Sequence, residues 1–189
     1  MPTIISSAVS SMVFGFIFAS YNGILNAFLR AAGIISANIN WLGDKNTAMW
    51  AVITVAIWGG FGNYLVYFMS GMSSISEDVY ESAKIDGANG IQTFFRITIP
   101  MLSPMLKVIL MLAITTAFKD YESILVLTQG GPFNRTQVMF LYIYQLVFGA
   151  SGTSPQIGYG TVLSLIASLI VGIVTAIYLF VSRKLDDVM

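Results

Sequence analysis

The stretch Glu81-Ser82-Ala83-Lys84-Ile85-Asp86-Gly87-Ala88, continuing through Phe94-Phe95-Arg96-Ile97 to Ile99-Pro100, is the densest polar block of an otherwise apolar chain. Before it lies an uncharged run from Asn46 to Ser76. After it comes an apolar run, about Ile97 to Phe118, whose single charge is Lys107. A polar, helix-forming block between two such runs reads as an ordered surface that faces water on one side of a membrane.

Composition supports that solvent. Apolar residues make up 56% of the chain, charged residues 10%, and the mean hydropathy is +0.79. Soluble domains carry about 25% charged residues. A formal net charge of zero argues against nucleic-acid binding, which needs a clustered basic surface. The chain has no cysteine and no histidine, so disulfides, thiol catalysis, the commonest metal ligand and the commonest general base are all missing. No catalytic residue, metal site or cofactor is assigned. The apolar start lacks the basic lead-in and small-residue cleavage site of a secretory signal.

A hydrocarbon core about 30 Å thick takes about 20 helical residues to cross. Four segments are candidates: about Ile4–Ala19, Ala48–Ser70, Ile97–Phe118 and Ile157–Val181. The expected fold class is therefore all-α, a polytopic membrane protein with about four transmembrane helices plus short interfacial and cytoplasmic helices. Between the first two spans, Ile24, Leu25, Phe28 and Leu29 form an apolar stripe that predicts a short helix lying in the interface. Between the last two, Thr128-Gln129-Gly130-Gly131-Pro132 is a turn signal. The aromatic helix that follows, 138–148, is too short to cross. Lysine and arginine bias puts Lys84, Arg96, Lys107, Arg183 and Lys184 on the inner side, against Arg30, Lys45, Lys119 and Arg135 outside. That vote is narrow, and the Arg183-Lys184 pair at a helix end weighs most.

Within the polar block, Ser76 predicts an N-cap, with Glu77 and Asp78 placing negative charge in the first turn. The helix should run to about Asp86, where Gly87 permits a turn. Asn89, with Gln92 three residues on, predicts a capping box for a second helix. There Ile91, Phe94, Phe95 and Ile99 fall on one stripe. Pro100 and Pro104 then predict a kinked span. Two readings of the block stay open on these grounds: an amphipathic loop resting on headgroups, or a protein-docking element. Its excess of acid suits anionic headgroups poorly. Ser82, Ala83, Gly87 and Ala88 are small enough for close approach, and Glu81 offers a charge to a partner's arginine.

These residues resemble the EAA loop of binding-protein-dependent ABC importer permeases, above all the maltose and glycerol-3-phosphate type of sugar permease. The likeness continues in Gly23-Ile24-Leu25-Asn26, Trp41-Leu42, Trp58, the Thr128–Pro132 turn, and Tyr142-Ile143-Tyr144 before Phe148. It covers nearly the whole chain, in order. The resemblance implies one transmembrane domain over residues 1–189, with a cytoplasmic coupling loop at 76–100. Glu81 would pair with an ATPase arginine, Gly87 would form the elbow, and Ser82, Ala83, Asp86 and Ala88 would complete the coupling surface. Ser82 stands where the family has its first alanine. The implied partners are ABC ATPase subunits, a second permease subunit (the same or different), an extracytoplasmic solute-binding protein and membrane lipid. The implied location is a prokaryotic inner membrane with both termini cytoplasmic. The first apolar segment falls at the family's third span, which implies one or two N-terminal spans missing here, whether by fragmentation or natural shortening.

Other residues carry two readings each. Lys107 reads as snorkelling or lining a wet vestibule, against a substrate contact. Asn63 and Tyr64 follow a glycine-rich stretch that suits helix packing or a translocation path. Lys119 and Tyr121, with Asp120 and Glu122, read as solvated helix-end charges or as contacts for a delivered substrate. Tyr142 and Tyr144 suit an aromatic belt. No G-x-x-x-x-G-K-[ST] loop occurs, so the motor is expected in a separate subunit. The sequence thus predicts a non-enzymatic permease subunit of an ATP-driven importer for a sugar, oligosaccharide or polyol. A secondary transporter half driven by an ion gradient and a non-transporting scaffold are the alternatives. The former is disfavoured by the absence of Asp and Glu from all four segments.

Overall fold

The computed structural model describes residues 4–149 and 154–186, with side chains described as far as Arg183. The described residues form helices joined by turns and loops, without strands. Three helices are long and apolar enough to cross a membrane: α3 (Ala48–Ser73), a continuous helix over Gly90–Lys119, and α9 (Ile157–Asp186), whose apolar part reaches Arg183. The middle one is built from α5 (Gly90–Thr93), a π-helical turn (Phe94–Thr98) and α6 (Ile99–Lys119).

The first apolar segment is not the expected fourth span. Its helix α1 (Ser7–Ile17) has 11 residues, about 16 Å at 1.5 Å per residue, half a hydrocarbon core. Its ends explain the shortness. Ser6 caps the start, its Oγ accepting from the Val9 N–H at 3.4 Å. At the other end Asn22 adopts φ +54°, and the chain turns through Gly23 into α2 (Ile24–Ala31). A Cβ on Gly23 would collide with the Ala19 carbonyl.

Helix α2 carries the expected apolar residues on one face, and only one edge of that face meets the core. Leu25 packs on the core, while Ile24 and Phe28 are exposed. The residue that fixes α2 is polar. Asn26, 1% exposed, donates to the carbonyls of Ile39 (2.8 Å), Ala19 (3.3 Å) and Ser20 (3.4 Å). Its Oδ1 accepts from the Ile39 N–H at 3.1 Å and from Trp41 Nε1 at 3.0 Å. A planar amide with both donors and acceptors satisfies a bend of backbone that no helix could supply.

The core sits around the first half of α3. Ala51 and Val55 meet Phe18 of the α1 terminus, with Phe14, Trp41 and Leu127 around them. Val52 meets Ile124 of α7 (Glu122–Leu127) and Leu141 of α8 (Met139–Phe148). The short aromatic helix α8 packs on the bundle, against α9, at Gly160, where a Cβ would crowd Val147. Helices α3 and α6 approach closely at Gly71, where a Cβ would stand 3.0 Å from Leu102 and 3.1 Å from Met105. Gly71 lies outside the glycine-rich stretch 59–62 singled out by the sequence, of which Gly62 is buried. Gly59 faces open space, and Gly60 lies under the ring of its own neighbour Tyr64.

Outside this core the surface is apolar. On α9, Leu165, Leu169, Ile173, Ile177 and Phe180 form one exposed row. Several threonine and serine hydroxyls of the spans bond inside their own helices, for example Thr54 to the Trp50 carbonyl and Thr175 to the Val171 carbonyl, both at 2.8 Å. Lipid offers such groups no hydrogen-bond partner, so this local bonding is what a spanning helix requires.

Candidate functional site

Two places stand out, at opposite ends of α3 and α6. The first is the polar block. Helix α4 (Glu77–Ile85) begins at Ser76 as expected, with Glu77 and Asp78 in its first turn and Lys84 in its last. Ser76 does not cap through its side chain; its Oγ donates to Asp78 Oδ2 at 3.3 Å.

The end of α4 is a Schellman motif. The Ala88 N–H bonds the Ala83 carbonyl at 2.9 Å, the Gly87 N–H bonds the Lys84 carbonyl at 3.0 Å, and Gly87 takes φ +75°. Asn89 then opens α5 with the capping box. Its Oδ1 accepts from the Gln92 N–H, and Gln92 Oε1 accepts from the Asn89 N–H, both at 2.9 Å. A closing motif and an opening motif stand back to back, so the elbow is two residues wide.

Glu81, Ser82, Lys84, Asp86 and Gly87 are exposed, and Ala88 is half-buried. Ala83, by contrast, is 4% exposed within this chain. Tyr80, three residues earlier on the same face, sets its hydroxyl 3.4 Å from Thr98 Oγ1. Neither Tyr80 nor Thr98 was singled out by sequence, because neither breaks a pattern.

The π turn was not foreseen either. Its cause is Pro100, whose ring would clash with the carbonyl four residues back in an α-helix. Widening the preceding turn relieves that clash, and the Ile99 N–H accordingly bonds the carbonyl of Phe94. The extra residue breaks the expected stripe. Ile91, Phe94 and Phe95 are exposed and Ile99 half-buried.

The second place is a cavity of about 640 Å³ between α1, the middle of α3, the end of α6 and the start of α7. Asn63, Tyr64, Lys119 and Tyr121 all line it, with Ser7, Ser10, Thr116, Asp120 and Glu122. Four residues chosen from distant sequence positions thus share one space. Its rim is tied by a hydroxyl relay: Ser7 lies 3.2 Å from Ser123 Oγ, which donates to Asp120 Oδ1 at 3.0 Å. Asp120 also accepts the Ser123 N–H at 3.4 Å and so starts α7. Tyr121 stacks on Tyr144, ring centres 5.3 Å apart, which draws α8 to the same rim.

Tyr64 is nine residues from the end of α3, about 14 Å, so the cavity lies well away from the elbow. Lys107 is twelve residues from Lys119, about 18 Å along the same helix, in the half nearer the elbow. It is half-buried, and its carbonyl accepts the Tyr178 hydroxyl of α9 at 2.8 Å.

An all-helical chain with three helices able to cross a membrane, a polar elbow at one end and a hollow toward the other falls in the class of polytopic membrane proteins. The chain belongs to the family described as binding-protein-dependent transport system inner membrane component, which matches residues 2–187. Among its relatives is the probable ABC transporter permease protein YurN of Bacillus subtilis, 33% identical over 170 residues, 90% of this chain and 57% of YurN. Another is the multiple sugar-binding transport system permease protein MsmF of Streptococcus mutans, 33% identical over 185 residues, 98% of this chain and 61% of MsmF. In fold it resembles a chain from a bacterial ABC transporter that imports the acidic polysaccharide alginate, with a TM-score of 0.83 at 24% identity, covering 97% of this chain and 62% of that one. The chain therefore spans about three-fifths of the length of these relatives.

Proposed function

We propose that this chain is part of the permease subunit of an ATP-driven importer, supplying half of the path for a sugar, oligosaccharide or related polyol. The observation that carries the reading is the pairing of two places through the same two helices. The exposed acidic helix α4 hangs from α3 and α6 at one end, and these helices wall the cavity at the other. Work done on α4 is thereby delivered to the path. In this reading α4 and the end of α9 face the cytoplasm, and Glu81, Ser82, Asp86, Gly87 and Ala88 meet an ABC ATPase. A second permease subunit covers the exposed apolar row of α9, an external solute-binding protein delivers to the cavity end, and Asn63, Tyr64, Lys119 and Tyr121 meet the substrate. The sugar class rests on relatives such as MsmF and the arabinooligosaccharides permease AraP of Bacillus subtilis. Hydroxyls, an amide and a tyrosine ring around a partly apolar hollow are the groups that recognise a polyhydroxylated ligand.

The test is Glu81→Lys in the assembled transporter, which reverses the charge on an exposed face without touching the core. The expected result is loss of the ATPase from the purified complex and at least a tenfold fall in ATP-dependent uptake of labelled oligosaccharides into vesicles held without an ion gradient. Retention of the ATPase with normal uptake would show the coupling assignment to be wrong.

A further inference from the structure

The bracket made by α4, the elbow and the π turn is tied across its open side at one polar point. Thr98, 4% exposed, lies 3.4 Å from the Thr93 carbonyl, to which its hydroxyl donates. The Tyr80 hydroxyl lies 3.4 Å from the same Oγ1, and either oxygen can donate. The π turn makes this register, since the widened ladder sets position 98 against the carbonyl five residues back.

Before the tie the backbone is easily bent: the elbow is a glycine at φ +75° followed by a half-buried alanine, and glycine resists bending least. Beyond the tie α6 runs as one helix from Ile99 to Lys119. A push on α4 has two outlets: folding at the elbow, or rotation of the helix that walls the cavity. Only a cross-tie between α4 and the foot of α6 closes the first.

We propose that Tyr80 and Thr98 are positioning residues. Their hydroxyl pair locks α4 to the π turn, so that displacement of α4 enters α6 as one body instead of being absorbed at Gly87. This rests on the reading of α4 as the nucleotide-driven element, and its test keeps the two apart.

The cysteine-free chain accepts paired spin labels in the assembled transporter. Labels at Glu77→Cys and Arg96→Cys measure the bracket itself. Labels at Glu77→Cys and Val108→Cys, each against Ile173→Cys on α9, follow α4 and α6 separately with and without ATP. In the native background the 77–96 distance should be narrowly distributed and unchanged by ATP. Tyr80→Phe and Thr98→Val should each widen it at least twofold, and Thr98→Ser, which keeps the hydroxyl, should restore the native width. In Tyr80→Phe the ATP-driven shift at position 77 should persist while that at position 108 falls at least twofold. A merely structural role would diminish both shifts together. An unchanged 77–96 width in Tyr80→Phe, or undiminished transmission to position 108, overturns the proposal. Absence of any ATP-driven shift at position 77 in the native background would instead sink the nucleotide-driven reading, and the width comparison would still decide the tie.

Discussion

Asn26→Leu removes the polar atoms of the side chain with the most hydrogen-bond partners among the described residues, keeping its branched heavy-atom skeleton. The leucine leaves three groups with good native geometry without their partner: the Ile39 carbonyl (2.8 Å), Trp41 Nε1 (3.0 Å) and the Ile39 N–H (3.1 Å). Each polar group stranded in a buried place costs about 1–3 kcal/mol. The bonds are only partly buried, so the low end applies and the sum is about 3 kcal/mol. The two longer contacts, to Ala19 and Ser20, add little because those carbonyls lie near water. At about 2–4 °C per kcal/mol for a chain of this size, the thermal midpoint should fall by about 6–12 °C. The assay is intrinsic fluorescence during heating in one detergent at one scan rate. Trp41 reports directly, because its indole loses its acceptor. Asn26→Asp, which sets a buried carboxylate oxygen against the carbonyls that the amide donated to, should fall at least as far. A midpoint for Asn26→Leu within 2 °C of the native chain would refute the claim that this amide holds the connector.

Two further outcomes follow from close contacts and backbone geometry. Gly71→Leu places a branched side chain where Leu102 and Met105 already stand at 3.0–3.1 Å from a Cβ. Overpacking of this kind costs about 1–3 kcal/mol; cross-linking between cysteines placed on α3 and α6 should weaken together with the thermal midpoint, and unchanged cross-linking would count against the contact. Gly87→Val puts a β-branched residue at φ +75°, at about 1–3 kcal/mol of backbone strain. Since nothing lies within 4 Å of a Cβ there, the loss should appear as faster amide exchange at Gly87 and Ala88 with the bundle unaffected, and unchanged exchange would contradict the turn.

Long elements were legible in the sequence because lipid demands a single signal, an uninterrupted apolar run, and α3, the middle span and α9 supply it. The elbow was legible because its motifs are local: Ser76, Gly87, Asn89 and Gln92 act on neighbours within four residues. Helix α1 is shorter than the span expected because hydropathy counts apolar residues and does not register that the helix ends at Ile17, before the turn into α2. Asn26 was quoted only as part of a family resemblance, since its partners lie 6 to 15 positions away and a lone asparagine has no periodicity. The π turn escaped for a related reason. Proline announces a kink, but not that the previous turn will widen to accommodate it. The cavity's residues were each noticed singly, and only the return of α7 beside α1 brings them to one space.

The buried side chains are shared unequally along α3. Ala48, Ala51, Val52 and Val55, each at most 4% exposed, crowd its first eight residues, while its last third buries Gly71 alone. Local opening costs least where few apolar contacts are lost. The protein therefore resembles a tool with a fixed handle at the hollow end and a compliant shaft toward α4. Deuterium uptake should climb in that direction, and a bound companion at the compliant tip would slow exchange there far more than anywhere else.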